Sequence, residues 1–148
     1  MKSALLSVTT VLLLAAGAAH AQFTTVPAPV TAAAPVPSAA DNSQDYKKDF
    51  ARHVYQAYPT RIYRGKLPPM LYSVMITETR LDAQGGVMDV SVRRPPAVDA
   101  VAPWVVQMIK RAGPFPAPAK MGEATIMEIW LVDKSGSFQL DTLTEGQR

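Results

Sequence analysis

The chain has 148 residues, with 15 Lys and Arg residues against 12 Asp and Glu residues and a formal net charge of +3. This length accommodates one domain, and so small an excess of positive charge does not indicate nucleic-acid binding. The sequence contains no cysteine, which excludes disulfides, thiolate metal sites and a lipid-modified cysteine. The fold must therefore be stabilised by a packed core.

Residues 1–21 have the features of a secretory signal peptide. Lys2 precedes an apolar run from Ala4 to Ala19, and Ala19-His20-Ala21 supplies the small-x-small pattern of a cleavage site. The apolar run has 16 residues, fewer than the roughly 20 that span a bilayer. We expect cleavage after Ala21 and export to the periplasm as a soluble protein. An uncleaved membrane anchor is the alternative.

Residues 22–44 are predicted to form a flexible linker. From Thr24 to Ala40 the chain carries no charge, and ten of these 17 residues are Ala or Pro. Proline keeps such a segment extended, and the composition gives it little to fold around.

The segment from Asp41 to Tyr58 predicts the first helix. Tyr46, Phe50 and Val54 recur at helical spacing. Asn42 or Ser43 can cap the start, and Pro59 ends the helix.

Basic residues are concentrated between Asp45 and Lys66, where the sequence has six Lys and Arg residues and only two Asp residues. Such a region could make a weak contact with an anionic membrane or with the cell wall. The alternative is an ordinary solvated helix face and loop.

Leu71 to Leu81 and Val87 to Val92 predict a β-hairpin. The first segment is rich in β-branched residues, and the second alternates apolar and polar side chains. The intervening "DAQGG" forms the turn, since glycine adopts positive φ at little cost.

The next segment, from Ala102 to Pro118, predicts a second helix followed by a proline-stiffened connector. Gly113-Pro114 ends the helix, and Asp99 is a candidate N-cap. Apolar residues occur at the spacing of a helix with one buried face. These residues are Val101, Trp104, Val105, Met108, Ile109 and Ala112. We expect Trp104 to lie in the core.

Ala124 to Val132 predicts the last strand, and it is apolar on both faces. Such a strand is either covered on both sides or meets a partner. Trp130 is therefore either a core residue or a binding anchor. The following "FQL" either continues this strand or begins a short final one, and residues 141–148 are expected to form a frayed polar tail.

These elements predict an α+β domain over residues 45–140. The order is αββαβ, with two helices packed on one face of a three-stranded antiparallel sheet whose edge strands are open.

The sequence offers no catalytic, cofactor-binding or metal-binding site. After residue 21 the chain has one histidine, His53, and a zinc site needs several nitrogen or sulfur ligands. No serine of the sequence lies in a nucleophile-elbow motif for which His53 could act as the base. Asp82 and Asp89 flank the hairpin turn, where acidic residues commonly serve turn chemistry. We therefore expect a protein that is not an enzyme and has no cofactor.

Residues 46–140 resemble the C-terminal domain of the TonB family of energy transducers and of its relative TolA. The resemblance rests on Tyr58-Pro59 at the end of the first helix and on the hairpin "LDAQGGVMDVSV". It continues through "RAGPFPAP" after the second helix to the final strand "ATIMEIWLV".

The resemblance implies a periplasmic module that binds an envelope protein, either an outer-membrane receptor or a component of an inner-membrane complex. In this family a receptor segment adds as a strand to the sheet edge. By position, the docking edge would be the last predicted strand, Ala124 to Val132, with partner contacts at four of its residues. These are Met127, Ile129, Trp130 and Leu131.

The chain also departs from the family. Its proline-rich stretch lacks the alternating Glu-Pro and Lys-Pro blocks, and its N-terminus is expected to be cleaved rather than retained as a membrane helix. A stand-alone binding module is thus the leading hypothesis. The alternatives are an anchored energy transducer and a structural protein resting on the envelope through its basic first helix. A homodimer through an open edge is a further hypothesis.

Overall fold

The computed structural model describes residues 21–30 and 33–148. It has an α+β fold, as predicted. The elements, in chain order, are α1 (Ser43–Ala57), β1 (Ser73–Leu81), β2 (Val87–Arg94), α2 (Val101–Ala112), β3 (Ala124–Val132) and β4 (Phe138–Leu140). The predicted signal peptide lies outside the described residues except for Ala21.

The sheet is antiparallel with the strand order β2-β1-β3-β4. It therefore has four strands rather than the three predicted. The extra strand forms because the chain reverses after β3, where the amide of Gly136 donates to the carbonyl of Asp133 at 3.0 Å and Gly136 adopts a φ of 78°. Glycine takes this left-handed conformation without steric cost.

β1 and β3 pair along their whole length without a register shift, from Ser73 opposite Val132 to Leu81 opposite Ala124. Burial alternates along both strands, because successive side chains of a strand point to opposite faces. Both helices pack on the buried face and share one hydrophobic core with it.

The two helices begin differently. Asn42, one of the two predicted candidates, caps α1, because its side-chain oxygen accepts a hydrogen bond from the amide of Asp45 at 2.9 Å. The prediction that Asp99 caps α2 is wrong: the N-cap position is Ala100, and no side chain caps the helix. The buried face of α2 is as expected, and Trp104 is 1% exposed.

The connector after α2 crosses the hairpin turn. Phe115 is fully buried and stacks on Phe50 of α1 at 4.5 Å between ring centroids. Its amide donates to the carbonyl of Gly85 at 2.8 Å. A Cβ at Gly85 would overlap the carbonyl oxygen of Phe115, and Gly85 has a φ of 82°. The glycine of the turn is thus required both by conformation and by the close approach of the connector.

His53 of α1 and Tyr58, the residue that follows α1, contact the end of α2. The Tyr58 hydroxyl donates to the carbonyl of Met108 at 2.7 Å, and His53 Nε2 lies 2.7 Å from the carbonyl oxygen of Ala112. Carbonyls in the last turn of a helix lack partners within the helix. The Ala112 carbonyl is one of these, so the His53 contact supplies its partner, and both contacts fix the end of α1 against α2.

The segment before α1 packs on the domain, in contrast to the expected flexible linker. Phe23 is 4% exposed and meets the Trp104 ring edge-on at 5.1 Å. The amide of Val30 donates to the carbonyl of Ala57 at 2.8 Å, and Ser38 Oγ donates to Asp49 at 2.6 Å. Composition did not predict this because one aromatic anchor and a few backbone hydrogen bonds are sufficient to attach an extended segment.

The C-terminal residues also differ from the expected frayed tail. The amide of Leu67 donates to the carbonyl of Gly146 at 2.8 Å, and the amide of Arg148 donates to the carbonyl of Leu67 at 3.1 Å. Thr144 Oγ1 donates to Gln139 Oε1 at 2.9 Å. A distant loop thus supplies backbone partners that a polar tail would otherwise find in water.

Phe23→Ala should lower the free energy of unfolding by about 3 kcal/mol, because truncating a buried Phe removes apolar contacts and leaves a cavity. Urea denaturation monitored by circular dichroism measures the change. The matched control is Val36→Ala, since Val36 in the same segment is 82% exposed. Equal effects of the two substitutions would contradict the packing of this segment.

Candidate strand-docking edge

The hydrogen bond in the turn after β3 shows to which side of the strand each main-chain N–H and C=O group points. The amide of Asp133 donates to the carbonyl of Ser137 at 2.8 Å. Main-chain groups of successive residues alternate between the two sides of a strand. Leu131, two residues earlier, therefore points its amide and carbonyl toward β4, where it pairs with Gln139.

By the same alternation, the amides and carbonyls of Thr125, Met127 and Ile129 point away from β1. Within β3, the residues that pair with β4 are Trp130–Val132. Within the described part of the chain, no strand pairs with the outer side of Ala124–Ile129. We call this stretch the open β3 edge. Its partner β1 pairs with it in an unbroken register, so the open edge is regular.

The opposite edge of the sheet, β2, is irregular. Pairing with β1 passes from Asp89 to Val87 and from Val92 to Arg94, so that Met88 and Arg93 are extra residues at β-bulges. Arg93 contacts Glu78 through Nη2 at 2.9 Å. Bulges and charged side chains are established ways of preventing an edge strand from pairing with another chain. β2 is thus protected along its length, whereas Ala124–Met127 of the open β3 edge has neither a bulge nor a charged side chain.

The four predicted contact residues occupy different environments. Met127 is 50% exposed and lies on the sheet face opposite the helices. Ile129 and Leu131 lie on the same face and are half-buried. Leu131 already pairs with β4, so its main-chain groups are not available to a partner.

Trp130 differs from the other three residues because it is fully buried. Its Nε1 donates to Thr77 Oγ1 at 3.0 Å, and its ring lies 4.9 Å from that of Phe138. Trp130 is a core residue, and its assignment as a partner contact is corrected accordingly.

Glu128 is a charged residue within the strand that was predicted to be apolar on both faces. It points toward the helices and is fully buried. Its Oε1 accepts the amide of Ile129 at 3.0 Å, and its Oε2 accepts the hydroxyl of Thr142 at 2.6 Å. Lys47 Nζ of α1 lies 3.6 Å from Oε1. A carboxylate in an apolar strand was the signal that could have identified it.

The protonation equilibrium of Glu128 reflects its burial. Loss of hydration raises the pKa of this carboxyl group above its ordinary value of 4.5. The hydrogen bonds from Thr142 and Ile129 and the charge of Lys47 act in the opposite direction, and desolvation is the larger effect.

The basic residues of α1 are engaged in ion pairs. Lys48 lies 2.9 Å from Asp45, and Arg52 lies 3.1 Å from Asp49; Lys47 faces Glu128. These pairs involve three of the six basic residues between Asp45 and Lys66.

The histidine of the described residues is His53. His53 lines an apolar cavity of about 350 Å³ beside the ends of α1 and α2, together with Val30 and Arg111. Its Nε2 is bound to the Ala112 carbonyl. Among residues 21–30 and 33–148, no group of three or more His, Asp or Glu side chains could bind a metal ion.

Within the same ranges, no helix is both long enough and apolar enough to cross a bilayer. Comparisons of the chain with protein-family models, curated proteins and solved structures found no match.

Glu128→Gln should increase stability at neutral pH. The side-chain amide of Gln keeps an oxygen that accepts the Ile129 N–H and offers an NH₂ group that can donate to the Thr142 hydroxyl. The substitution removes the charge of the carboxylate, which burial disfavours. Because the folded-state pKa is raised, the stabilising contribution of the wild-type carboxyl is complete below its ordinary pKa and is lost as the pH rises through the raised value.

Urea denaturation between about pH 4 and pH 8 tests this expectation. The wild type should lose more stability than Glu128→Gln as the pH rises over this range. Glu123→Gln is the matched control, since Glu123 is exposed and immediately precedes β3. Parallel profiles for wild type and Glu128→Gln would contradict a raised pKa.

Proposed function

We propose that the protein is a periplasmic binding module that takes up an extended segment of an envelope protein as an added strand on the open β3 edge. The observation that carries the proposal is the contrast between the two edges of the sheet. β2 is bulged and charged, whereas Ala124–Met127 is regular and includes the exposed Met127.

Strand addition would use the main chain for affinity and side chains for selectivity. The outward amides and carbonyls of Thr125 and Met127 would pair with the partner backbone. Met127 and Ile129, on the open face of the sheet, would contact apolar side chains of the added strand, as cross-strand neighbours do. A suitable partner is therefore a short extended segment with apolar residues at alternate positions.

The class of partner is supported by the resemblance to the TonB C-terminal domain. In that family, the corresponding strand binds a segment of an outer-membrane receptor. We do not extend the proposal to energy transduction, which requires a retained membrane anchor.

Mass spectrometry of the protein isolated from cells should give a mature N-terminus at Gln22; retention of residues 1–21 would favour the anchored alternative.

Met127→Pro should abolish capture of the partner by crosslinking pull-down from envelope extracts. Proline removes the outward amide of Met127 but leaves the hydrogen bonds between β1 and β3, since that amide points away from β1. Circular dichroism should show that the variant remains folded.

Val90→Pro on β2 is the matched control. Glu78 pairs with Ser91, and the amide of Asp82 donates to the carbonyl of Gly86 at 2.9 Å; by alternation, the amide of Val90 also points away from β1. Its substitution should leave capture unchanged. Loss of capture with Val90→Pro and not with Met127→Pro would assign binding to the other edge, and retention with both would exclude strand addition.

A further inference from the structure

The open β3 edge ends at an unusual hydrogen bond. The amide of Ile129 points outward, where the carbonyl of an added strand would normally accept it. Instead, it donates to Glu128 Oε1 at 3.0 Å, on the side chain of the preceding residue. A group of the protein itself thus occupies the acceptor position of a partner strand.

Residues of two other elements, Thr142 and Lys47, hold the Glu128 carboxylate beside the Ile129 amide. Thr142, in the short helical turn after β4, donates its hydroxyl to Oε2 at 2.6 Å. Its amide approaches Oε1 at 3.4 Å. Lys47 of α1 lies 3.6 Å from Oε1, and its side chain is 28% exposed. The carboxylate is therefore held by the helix layer and by the segment that continues the sheet beyond β4.

The position of Glu128 also matches a known property of edge strands. A charged side chain that points inward from an edge hinders pairing with another chain, because an added strand would bury it further or displace it. Removing a buried carboxylate from its hydrogen bonds is costly unless other groups replace them.

We infer that Glu128 closes the β3 edge at Ile129 and thereby sets the register and length of an added strand. The partner backbone pairs with Thr125 and Met127 and diverges before Ile129, whose amide is already bound. Glu128 is a positioning residue in this role: it contacts its own strand and defines where the partner stops. This inference rests on the proposed function for the existence of a partner strand, but the closing hydrogen bond is testable without one.

The first experiment examines the wild-type protein alone by NMR. A scalar coupling across the hydrogen bond should connect the backbone nitrogen of Ile129 with the side-chain carboxyl carbon of Glu128. Its absence would overturn the inference, whatever the protein binds.

The second experiment compares amide hydrogen exchange in Glu128→Gln and Glu128→Thr with that of the wild type. Gln still reaches the Ile129 amide, whereas Thr is too short to do so. Exchange at Ile129, divided by exchange at Trp130 in the β1 ladder, should remain similar in Glu128→Gln and become about tenfold faster in Glu128→Thr. The ratio corrects for a general loss of stability, and an unchanged ratio in Glu128→Thr would contradict the closing role.

The third experiment uses an acetylated and amidated peptide of alternating Thr and Val residues as the probe for strand addition. At saturation, exchange should slow at Thr125 and Met127 of the wild type and remain unchanged at Ile129. In Glu128→Thr, added protection should extend to Ile129.

The outcomes separate the two claims. Added protection at Ile129 in the wild type would overturn the closing role of Glu128 while supporting strand addition. Protection at Val90 and Val92 instead of Thr125 and Met127, with the Ile129 coupling present, would contradict the β3 docking edge while preserving the hydrogen bond that closes it.

Discussion

The ladder between β1 and β3 is the constraint on which the rest of the structure depends. Its nine pairs run without a shift from Ser73 to Leu81, so the alternation of buried and exposed side chains is fixed along both strands. A displacement by one residue would expose Trp130 and bury Met127. The same register determines which main-chain groups point away from β1. The core and the open β3 edge are therefore consequences of one pairing.

The two edges of the sheet differ in regularity: β2 has bulges, whereas β3 pairs with β1 without a register shift. At β2, the extra residues Met88 and Arg93 interrupt regular pairing and place charge at the edge. At β3, the regular geometry persists as far as Ile129. The amide of Ile129 donates to the Glu128 carboxylate, which also accepts the Thr142 hydroxyl. A short regular stretch between Ala124 and Ile129 thus remains, bounded on one side by a buried charge.

The connector between α2 and β3 joins parts of the chain that are distant in sequence. Phe115 reaches α1 through its stack on Phe50 and reaches the hairpin turn through Gly85. The Tyr46 hydroxyl of α1 donates to the carbonyl of Pro116 at 2.6 Å in the same connector. The start of β3 is therefore oriented by both the first helix and the hairpin. This arrangement gives the "GPFPAP" sequence a physical role in positioning the proposed docking strand.

The sequence by itself determined the two helices, the hairpin and β3, because each has a strong local signal: apolar residues at helical spacing, the Asn42 cap, the glycines of the turn and the β-branched strand. It also indicated that Trp104 is buried. Only the tertiary structure decided features that depend on residues far apart along the chain. Phe23 attaches the segment before α1 by meeting Trp104, the tail pairs with Leu67, and Trp130 is buried beside Phe138. Glu128 gains its position from Lys47 and Thr142. Local patterns report how a segment can fold, but the partner of a buried polar group or an edge amide is set by three-dimensional packing.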